Sequence, residues 1–271
     1  MSPRAAVLGH PIEHSLSPVM HRAAYAALAL DWRYDAIDVT SEQLPGFIAA
    51  LDDSWRGLSL TMPLKQDILP LLDESDDWVA TVSAANTVVL RGGRLLGHNT
   101  DVEGIVQAVR EVAAEPRSAA VIGGGATARS TVAALAELGA VSVTLTARRE
   151  QPARELQDLA TRLGLCARCV AWQDRYTVLD ADLVVCTLPG DAASDFAQAV
   201  PADPGTLLDV TYAPWPTTLA GRWQERGGAV VPGYRMLLWQ AVAQVALMTG
   251  LEPPVAAMAT ALETALAARS I

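Results

Sequence analysis

The sequence predicts an α/β protein built on mainly parallel sheets, and three observations carry that expectation. Short apolar strands alternate with helical stretches along most of the 271 residues, the pattern of parallel strands covered on both faces. Glu115-Pro116-Arg117 breaks the chain, and a new strand and helix series follows. A glycine turn, Gly123-Gly124-Gly125, stands directly after an apolar strand and opens a helix. The length suits one large or two medium domains.

Composition excludes several function classes. The chain is 51% hydrophobic and only 5% aromatic, ample for a sizeable core. Its formal net charge is −10, with a pI of about 4.8. Non-specific nucleic-acid binding needs a basic face, so that class is excluded, as is attraction to an anionic membrane. An anionic ligand must be held by local donors against the overall field. No run of about 18 uncharged apolar residues marks a membrane span. The opening MSPRAAVLGHP enters a strand at once, without a signal-peptide h-region. A soluble cytoplasmic protein is expected. Cys166, Cys169 and Cys186 form an odd set that fits reduced thiols. Cys166 and Cys169 have no second pair and no nearby histidine, so they read as strand residues half facing the core. His10, His14, His21 and His98 make no metal set, and no metal is expected.

Ala5–Leu8 is a short strand running into GHPIEHSLSP, a loop dense in hydroxyl and turn residues. Ser17 then reads as the N-cap of a helix with Pro18 at its first position. Val19, Ala23, Ala26, Ala27 and Leu30 are that helix's expected buried face. Trp32–Val39 alternates as a strand, Glu42–Leu51 reads as a helix, and Gly57–Thr61 as a strand. Pro63 suits the first turn of a helix reaching about Leu72. Lys65 is thereby placed just past the C-terminal end of a strand, where ligand crevices of open α/β sheets lie. A lysine in a first turn opposes the helix dipole by about 0.3–1 kcal/mol.

Thr87–Arg91 and Arg94–His98 read as a hairpin closed by Gly92-Gly93, since both glycines can take the positive φ of such turns. Pairing Arg91 with Arg94 sets Val88 opposite Gly97 and Asn86 opposite Asn99. SAAN (83–86) and NTD (99–101) then lie side by side, collecting amide, hydroxyl and carboxylate groups at one end of an apolar hairpin. That end is either a binding site or a solvated hairpin end with Asp101 capping the next helix.

The second half continues the alternation. A helix over Val102–Ala113 precedes the break; then come a strand at Ser118–Ile122, the glycine turn, a helix over Arg129–Leu138 and a strand at Val141–Thr146. Further strands are expected at Ala167–Ala171, Ala181–Cys186 and Thr206–Val210, with helices at Ala153–Leu163 and Thr217–Arg226. After Ala229–Val231, Pro232-Gly233 introduces a long apolar helix, Tyr234–Thr249, and Val255–Arg269 is the last.

Gly123, Gly125 and Ala128 fit G-x-G-x-x-[GA] in the required strand-turn-helix context. The first glycine permits the tight turn, the second lets pyrophosphate approach the backbone, and the small third residue allows close packing. The helix start then offers free N–H groups to phosphate. This predicts a bound dinucleotide. An NAD site usually carries an acid at the end of the second strand; here that strand ends Thr146-Ala147-Arg148-Arg149. Two guanidiniums match a 2′-phosphate, which favours NADP, unless one or both are solvated helix-start residues.

These residues form a familiar pattern. Gly9-His10-Pro11-Ile12-x-His14-Ser15-x-Ser17-Pro18, Thr61-x-Pro63-x-Lys65, Ala85-Asn86-Thr87, Asn99-Thr100-Asp101-x-x-Gly104, the glycine turn, and Gly233-x-x-Met236-Leu237-x-x-Gln240-Ala241 stand in the order of the shikimate dehydrogenase family, which the chain resembles over essentially its whole length. The resemblance implies an α/β fold of two domains. Residues 1–101 with 238–271 would form an α/β substrate domain, and 102–237 a Rossmann-type NADP-binding domain inserted between them. It implies NADPH-dependent reversible reduction of 3-dehydroshikimate to shikimate, a step toward chorismate and the aromatic amino acids. Lys65 and Asp101 would be the catalytic pair. Ser15, Ser17, Thr61, Asn86, Tyr212 and Gln240 would hold the substrate's carboxylate and hydroxyls. Gly123, Gly124, Gly125, Ala126, Thr146, Arg148 and Arg149 would bind the cofactor, with Gly233 and Met236 near the nicotinamide. The expected partners are small molecules alone, acting on a monomer or homodimer. Three positions depart from the family's commoner forms: His21-Arg22 for His-Asn, GGGATA for Gly-Ala-Gly-Gly, and Thr-Ala-Arg-Arg for Asn-Arg-Thr.

The chemistry agrees with the residue types. Ketone reduction needs a hydride donor and a proton for the developing alkoxide. A lysine can give that proton, and a carboxylate can orient it and tune its pKa. Bland readings stand beside these: Ser17 as a cap, Tyr212 as loop packing, and Gln240 as a polar residue in an apolar helix that needs some partner if buried. His14 beside Ser15 lacks the glycines of a nucleophile elbow, which discounts a hydrolase. The alternatives are a paralogue acting on quinate or an amino analogue with NAD or relaxed cofactor use, and a ligand-sensing module without turnover.

Overall fold

The computed structural model describes residues 2–112 and 115–269. In its first stretch the elements are β1 (Arg4–Gly9), α1 (Ser17–Ala27), β2 (Arg33–Asp38), α2 (Leu44–Ala49), β3 (Trp55–Leu60), α3 (Leu64–Asp67), β4 (Glu74–Ser75), α4 (Asp77–Val82), β5 (Thr87–Arg91) and β6 (Arg94–His98). Next come α5 (Asp101–Arg110), β7 (Ser118–Ile122), α6 (Ala126–Glu137), β8 (Ser142–Thr146), α7 (Glu150–Arg162), β9 (Cys166–Cys169), β10 (Leu183–Cys186), β11 (Thr206–Asp209), α8 (Thr218–Glu225) and β12 (Ala229–Pro232). The chain closes with α9 (Gly233–Thr249) and α10 (Val255–Arg269). Two compact units result: Met1–Thr100 with Leu237–Ile271, and Asp101–Met236.

The first unit holds a six-stranded sheet of order β2-β1-β3-β5-β6-β4. β1 runs parallel to both β2 and β3, and the β5–β6 hairpin joins β3 antiparallel. Leu8, Leu58, Leu60, Leu64, Ile68 and Val88 are fully or nearly buried at its core. The hairpin has the register its glycines require: Arg91 faces Arg94, Val88 faces Gly97, and Thr87 faces His98. Gly92 and Gly93 sit at φ of +60° and +75°, where any other residue would be strained.

Three expectations in this unit need correction. Ser17 is inside α1 rather than its cap: Leu16 precedes the helix, and the Ser17 N–H instead donates to Ser15 Oγ at 3.3 Å. The buried face of α1 is Met20, His21, Ala24 and Tyr25, whereas Ala26 and Ala27 are exposed. Aromatic packing turns the helix: His21 stacks on Tyr34 of β2 with ring centroids 3.9 Å apart, and Tyr25 meets Trp32 at 5.3 Å. The helix expected from Pro63 to Leu72 stops after Asp67, and a separate 3-10 turn spans Leu69–Leu71. Pro70 lacks an N–H and clashes with the preceding turn, so the α-helix cannot run through it. β4 and α4 have no counterpart in the sequence pattern. α4 is capped by Asp76, whose side chain accepts from the Val79 N–H at 2.8 Å.

The second unit is a six-stranded, all-parallel sheet of order β12-β11-β10-β7-β8-β9. Its core gathers Ile122, Val184, Cys186, Phe196, Leu207, Leu219 and Trp223. α6 begins three residues earlier than the apolar pattern indicated, with Gly125 as its N-cap, so the glycine turn leads straight into it. α5 ends at Arg110; its expected end, Ala113, lies outside the described residues. Cys166 is exposed and Cys169 half-buried on β9, and Cys186 is buried on β10; all three are free thiols.

Candidate active site

In the first unit the predicted substrate residues gather at one end of the sheet. The C-terminal ends of β1, β3 and β6 and the N-terminal end of β5 meet there, as the pairings Leu8–Leu60, Ser59–Thr87 and Thr87–His98 require. Ser15 and Ser17 come from the loop and helix after β1, Thr61 and Lys65 follow β3, Asn86 precedes β5, and Gln240 lies on α9. Gly9 lets the β1 and β3 ends close up: a Cβ there would stand 2.3 Å from Thr61 Cγ2. The Lys65 carbonyl accepts from the Ala85 N–H at 2.8 Å, which ties the lysine's backbone to the segment carrying Asn86. Lys65 itself is half-buried.

Asn86, 1% exposed, is held from several sides. Its Oδ1 accepts from the Thr100 N–H at 2.8 Å and from Thr87 Oγ1 at 3.0 Å. Its Nδ2 donates to Thr100 Oγ1 at 2.9 Å and to Gln240 Oε1 at 3.3 Å. Gln240 in turn donates to the Leu237 carbonyl at 2.9 Å. Asn99 donates to the Ala84 carbonyl at 2.8 Å. Burial works to raise the Asp76 carboxyl, but the His98 side chain and the N–H groups of Val79 and Asn99 together hold it below the usual carboxylate range. The hairpin's polar end is therefore a built structure and not a frayed one.

A second set of buried polar groups continues from Asn86. Gln244 Nε2 donates to Thr87 Oγ1 at 3.1 Å and to the Asn86 carbonyl at 3.3 Å. Gln244 Oε1 accepts from Ser59 Oγ at 2.8 Å and lies 3.2 Å from His21 Nε2. Tyr34 donates to Ser59 at 2.6 Å. Burial drives the His21 imidazole down to about pKa 3 despite its bond to Gln244, so it is neutral at ordinary pH. Burial likewise raises the Tyr34 phenol, against the bond to Ser59. Gln244, Ser59 and Tyr34 are not marked by any motif of the sequence, and Thr87 stands in the Ala85-Asn86-Thr87 motif without an assigned role. The signal for Gln244 was available: it lies one turn beyond Gln240 on the same face of an apolar helix.

In the second unit Asp101 is the first residue of α5 and 3% exposed. It follows Thr100, the partner of Asn86, by a single peptide bond. Tyr212 is half-buried in the segment after β11. Gly233 lets α9 start against that segment, since a Cβ there would stand 2.2 Å from the Val210 carbonyl. Met236 is 7% exposed in the first turn of α9.

The glycine turn lies between β7 and α6, beside the point where strand order reverses from β7 to β10. Gly123 has φ +125°, and its Cβ would collide with Thr187 Oγ1 at 2.2 Å. A Cβ on Gly124 would be 2.7 Å from Pro152. On Gly125 it would meet nothing within 4 Å, so a cradle opens over the N-terminus of α6. Thr146 Oγ1, at the end of β8, is buried without a hydrogen-bond partner, and the Thr146 carbonyl accepts from the Gly123 N–H at 2.9 Å. Arg148 and Arg149 follow, both exposed, with the Arg148 guanidinium 5.9 Å from the Trp172 ring centroid. Arg148, Arg154, Arg168 and Trp172 line an open groove of about 950 Å³. Open backbone at Gly125, a free helix start and two guanidiniums in place of an acid fit a phosphorylated dinucleotide. Among the described residues no group of His, Cys, Asp or Glu is placed to hold a metal ion.

Comparison with known proteins agrees with this geometry. Residues 7–88 match the family model described as the shikimate dehydrogenase substrate binding domain. Residues 233–263 match that of the shikimate 5′-dehydrogenase C-terminal domain. A shikimate dehydrogenase (NADP(+)) of Moorella thermoacetica is 37% identical, covering 98% of this chain and 94% of its own. The crystal structure of Mycobacterium tuberculosis shikimate dehydrogenase superposes with a TM-score of 0.91 at 39% identity, over 97% of this chain and 99% of that one. That of the Thermus thermophilus enzyme in complex with NADP(H) and shikimate gives 0.86 at 33% identity, over 97% and 99%. Motif order, two-unit fold and near-complete coverage agree: the chain belongs to the shikimate dehydrogenase family.

Proposed function

We propose that this chain catalyses the NADPH-dependent, reversible reduction of 3-dehydroshikimate to shikimate, on the route to chorismate and the aromatic amino acids. The observation that carries the reading is the hydroxyl and amide cluster of Ser15, Ser17, Thr61, Asn86 and Gln240 at one sheet end, in a chain of this family. Such groups suit a small polyol acid. Serine hydroxyls take its carboxylate without the overall negative charge being offset by an arginine.

Gly123, Gly124, Gly125 and Ala126, with Thr146 and the guanidiniums of Arg148 and Arg149, would hold the cofactor, which in its reduced form, NADPH, would supply the hydride. Gly233 and Met236 border the nicotinamide in this reading. The remaining steps belong to side chains. Lys65 hydrogen-bonds the ketone oxygen and passes it a proton as the alkoxide develops; Asp101 orients the ammonium, and the amine regains its proton from water. Tyr212 joins the substrate ligands. Apart from Tyr212, residues 1–101 with 238–271 serve the substrate and 102–237 the cofactor. The reaction requires no metal. A monomer or homodimer in the cytoplasm suits three free thiols and described helices none of which is long and apolar enough to cross a membrane. Purified protein should reduce NADP when given shikimate. A preparation inert toward shikimate with both NADP and NAD overturns the reading.

A further inference from the structure

Gln244 is 1% exposed, and the direction of every hydrogen bond around it follows from two backbone groups that have no choice of role. The Asn86 carbonyl can only accept, so the Gln244 atom facing it is Nε2, a donor. The opposite atom, Oε1, must then accept, which commits the Ser59 proton and the Nε2 proton of neutral His21 to it. Tyr25 OH, 3.4 Å from His21 Nδ1, donates to that free ring nitrogen. Ser59 has used its proton, so Tyr34 donates to Ser59. On the other side, Gln244 donates into Thr87 Oγ1, so the Thr87 proton goes to Asn86 Oδ1. The Thr100 N–H can only donate, and it too faces Asn86 Oδ1. Asn86 Nδ2 is therefore turned toward Thr100 Oγ1 and Gln240.

We propose that Gln244 is a positioning residue for the substrate: it holds the Asn86 backbone at its carbonyl and, through Thr87, supports the Asn86 side-chain amide at Oδ1. This deepens the function proposed above and rests on it. Losing the Gln244 amide frees the Asn86 carbonyl and lets Thr87 turn its proton away, which leaves Asn86 Oδ1 to the Thr100 donors alone and loosens the placement of the amide.

The test uses the full chain with Gln244→Leu, Thr87→Val and Thr87→Ser, each assayed for kcat, for KM with shikimate and NADP, and for melting temperature. Analogues of shikimate lacking one ring hydroxyl are added as competitive inhibitors. Gln244→Leu and Thr87→Val should each raise the KM for shikimate about tenfold and leave that for NADP unchanged. Thr87→Ser, which keeps the hydroxyl, should restore it. The affinity lost on removing the hydroxyl that Asn86 reads should shrink in Gln244→Leu, which a purely structural role would not cause. An unmoved KM for shikimate in a variant of lowered melting temperature overturns the proposal, as does an equal rise for both substrates. If Gln244→Leu does not fold, the Thr87 pair decides. An active wild type with unmoved variants overturns this proposal alone; a wild type inert toward shikimate overturns the functional reading with it.

Discussion

The backbone N–H of Thr100 donates to Asn86 Oδ1 across 2.8 Å, joining the two open ends of the β5–β6 hairpin. Residues 14 positions apart in sequence are thereby fixed to one another, and Asp101 leaves from that junction. Asn86→Ala would strand the buried Thr100 N–H. An unpaired buried donor costs about 1–3 kcal/mol, so the variant's urea midpoint should fall by that equivalent and its KM for shikimate should rise. A variant matching wild type in both would show that the junction is closed by other means.

Lys65 acts in the transition state in the proposed mechanism. Lys65→Ala should lower kcat by about 10²–10⁴ with little change in KM. Steady-state rates with shikimate and NADP check this. A large rise in KM at unchanged kcat reassigns Lys65 to binding.

The glycines of the turn should part company on substitution. Gly123→Ala must adopt φ near +125° and crowd Thr187, so it should lose about 1–3 kcal/mol of stability. Gly125→Ala meets no atom within 4 Å and has an ordinary φ of −90°, so its melting temperature should hold. In the proposed mode of binding its methyl intrudes where pyrophosphate approaches, and a clash of about 1.4 kcal/mol is about tenfold in KM for NADP. Thermal melts and NADP titrations of both variants read the difference; equal behaviour of the two contradicts the cradle.

His21 sets a pH dependence of stability. Burial depresses its pKa from 6.5 to about 3 in the folded chain. Unfolded, it takes a proton below about pH 6.5. Between these values the unfolded state holds more protons, so this contribution is complete above pH 6.5 and declines as the pH falls toward 3. The slope is about 1.4 kcal/mol per pH unit for one proton. Urea unfolding of wild type and His21→Phe between pH 4 and 7 should show that excess slope in wild type only; parallel curves contradict it.

Local rules made much of the fold legible. Gly92-Gly93 determined the hairpin register because two positive φ values leave one turn geometry, and register then dictated that 83–86 and 99–101 are neighbours. The strand, glycine turn and helix of 118–137 were legible from the same kind of local rule. What escaped depended on partners distant in sequence. Nothing within Ser17–Ala27 announces that His21 and Tyr25 point inward; the stack on Tyr34 decides it. The two-residue β4 carries too little pattern to be seen. Pro70 could have ended α3 on paper, and the spacing of Gln240 and Gln244 could have revealed the second amide, since a buried glutamine needs partners.

The central claim is that this chain oxidises shikimate with NADP. Initial rates of the purified protein on shikimate and quinate, each with NADP and with NAD, test it most directly. The highest kcat/KM is expected for shikimate with NADP, from the hydroxyl and amide groups at the sheet end and the guanidiniums after β8. A preference for quinate or for NAD contradicts the assignment of substrate or cofactor, and no turnover in any of the four combinations contradicts the enzyme itself.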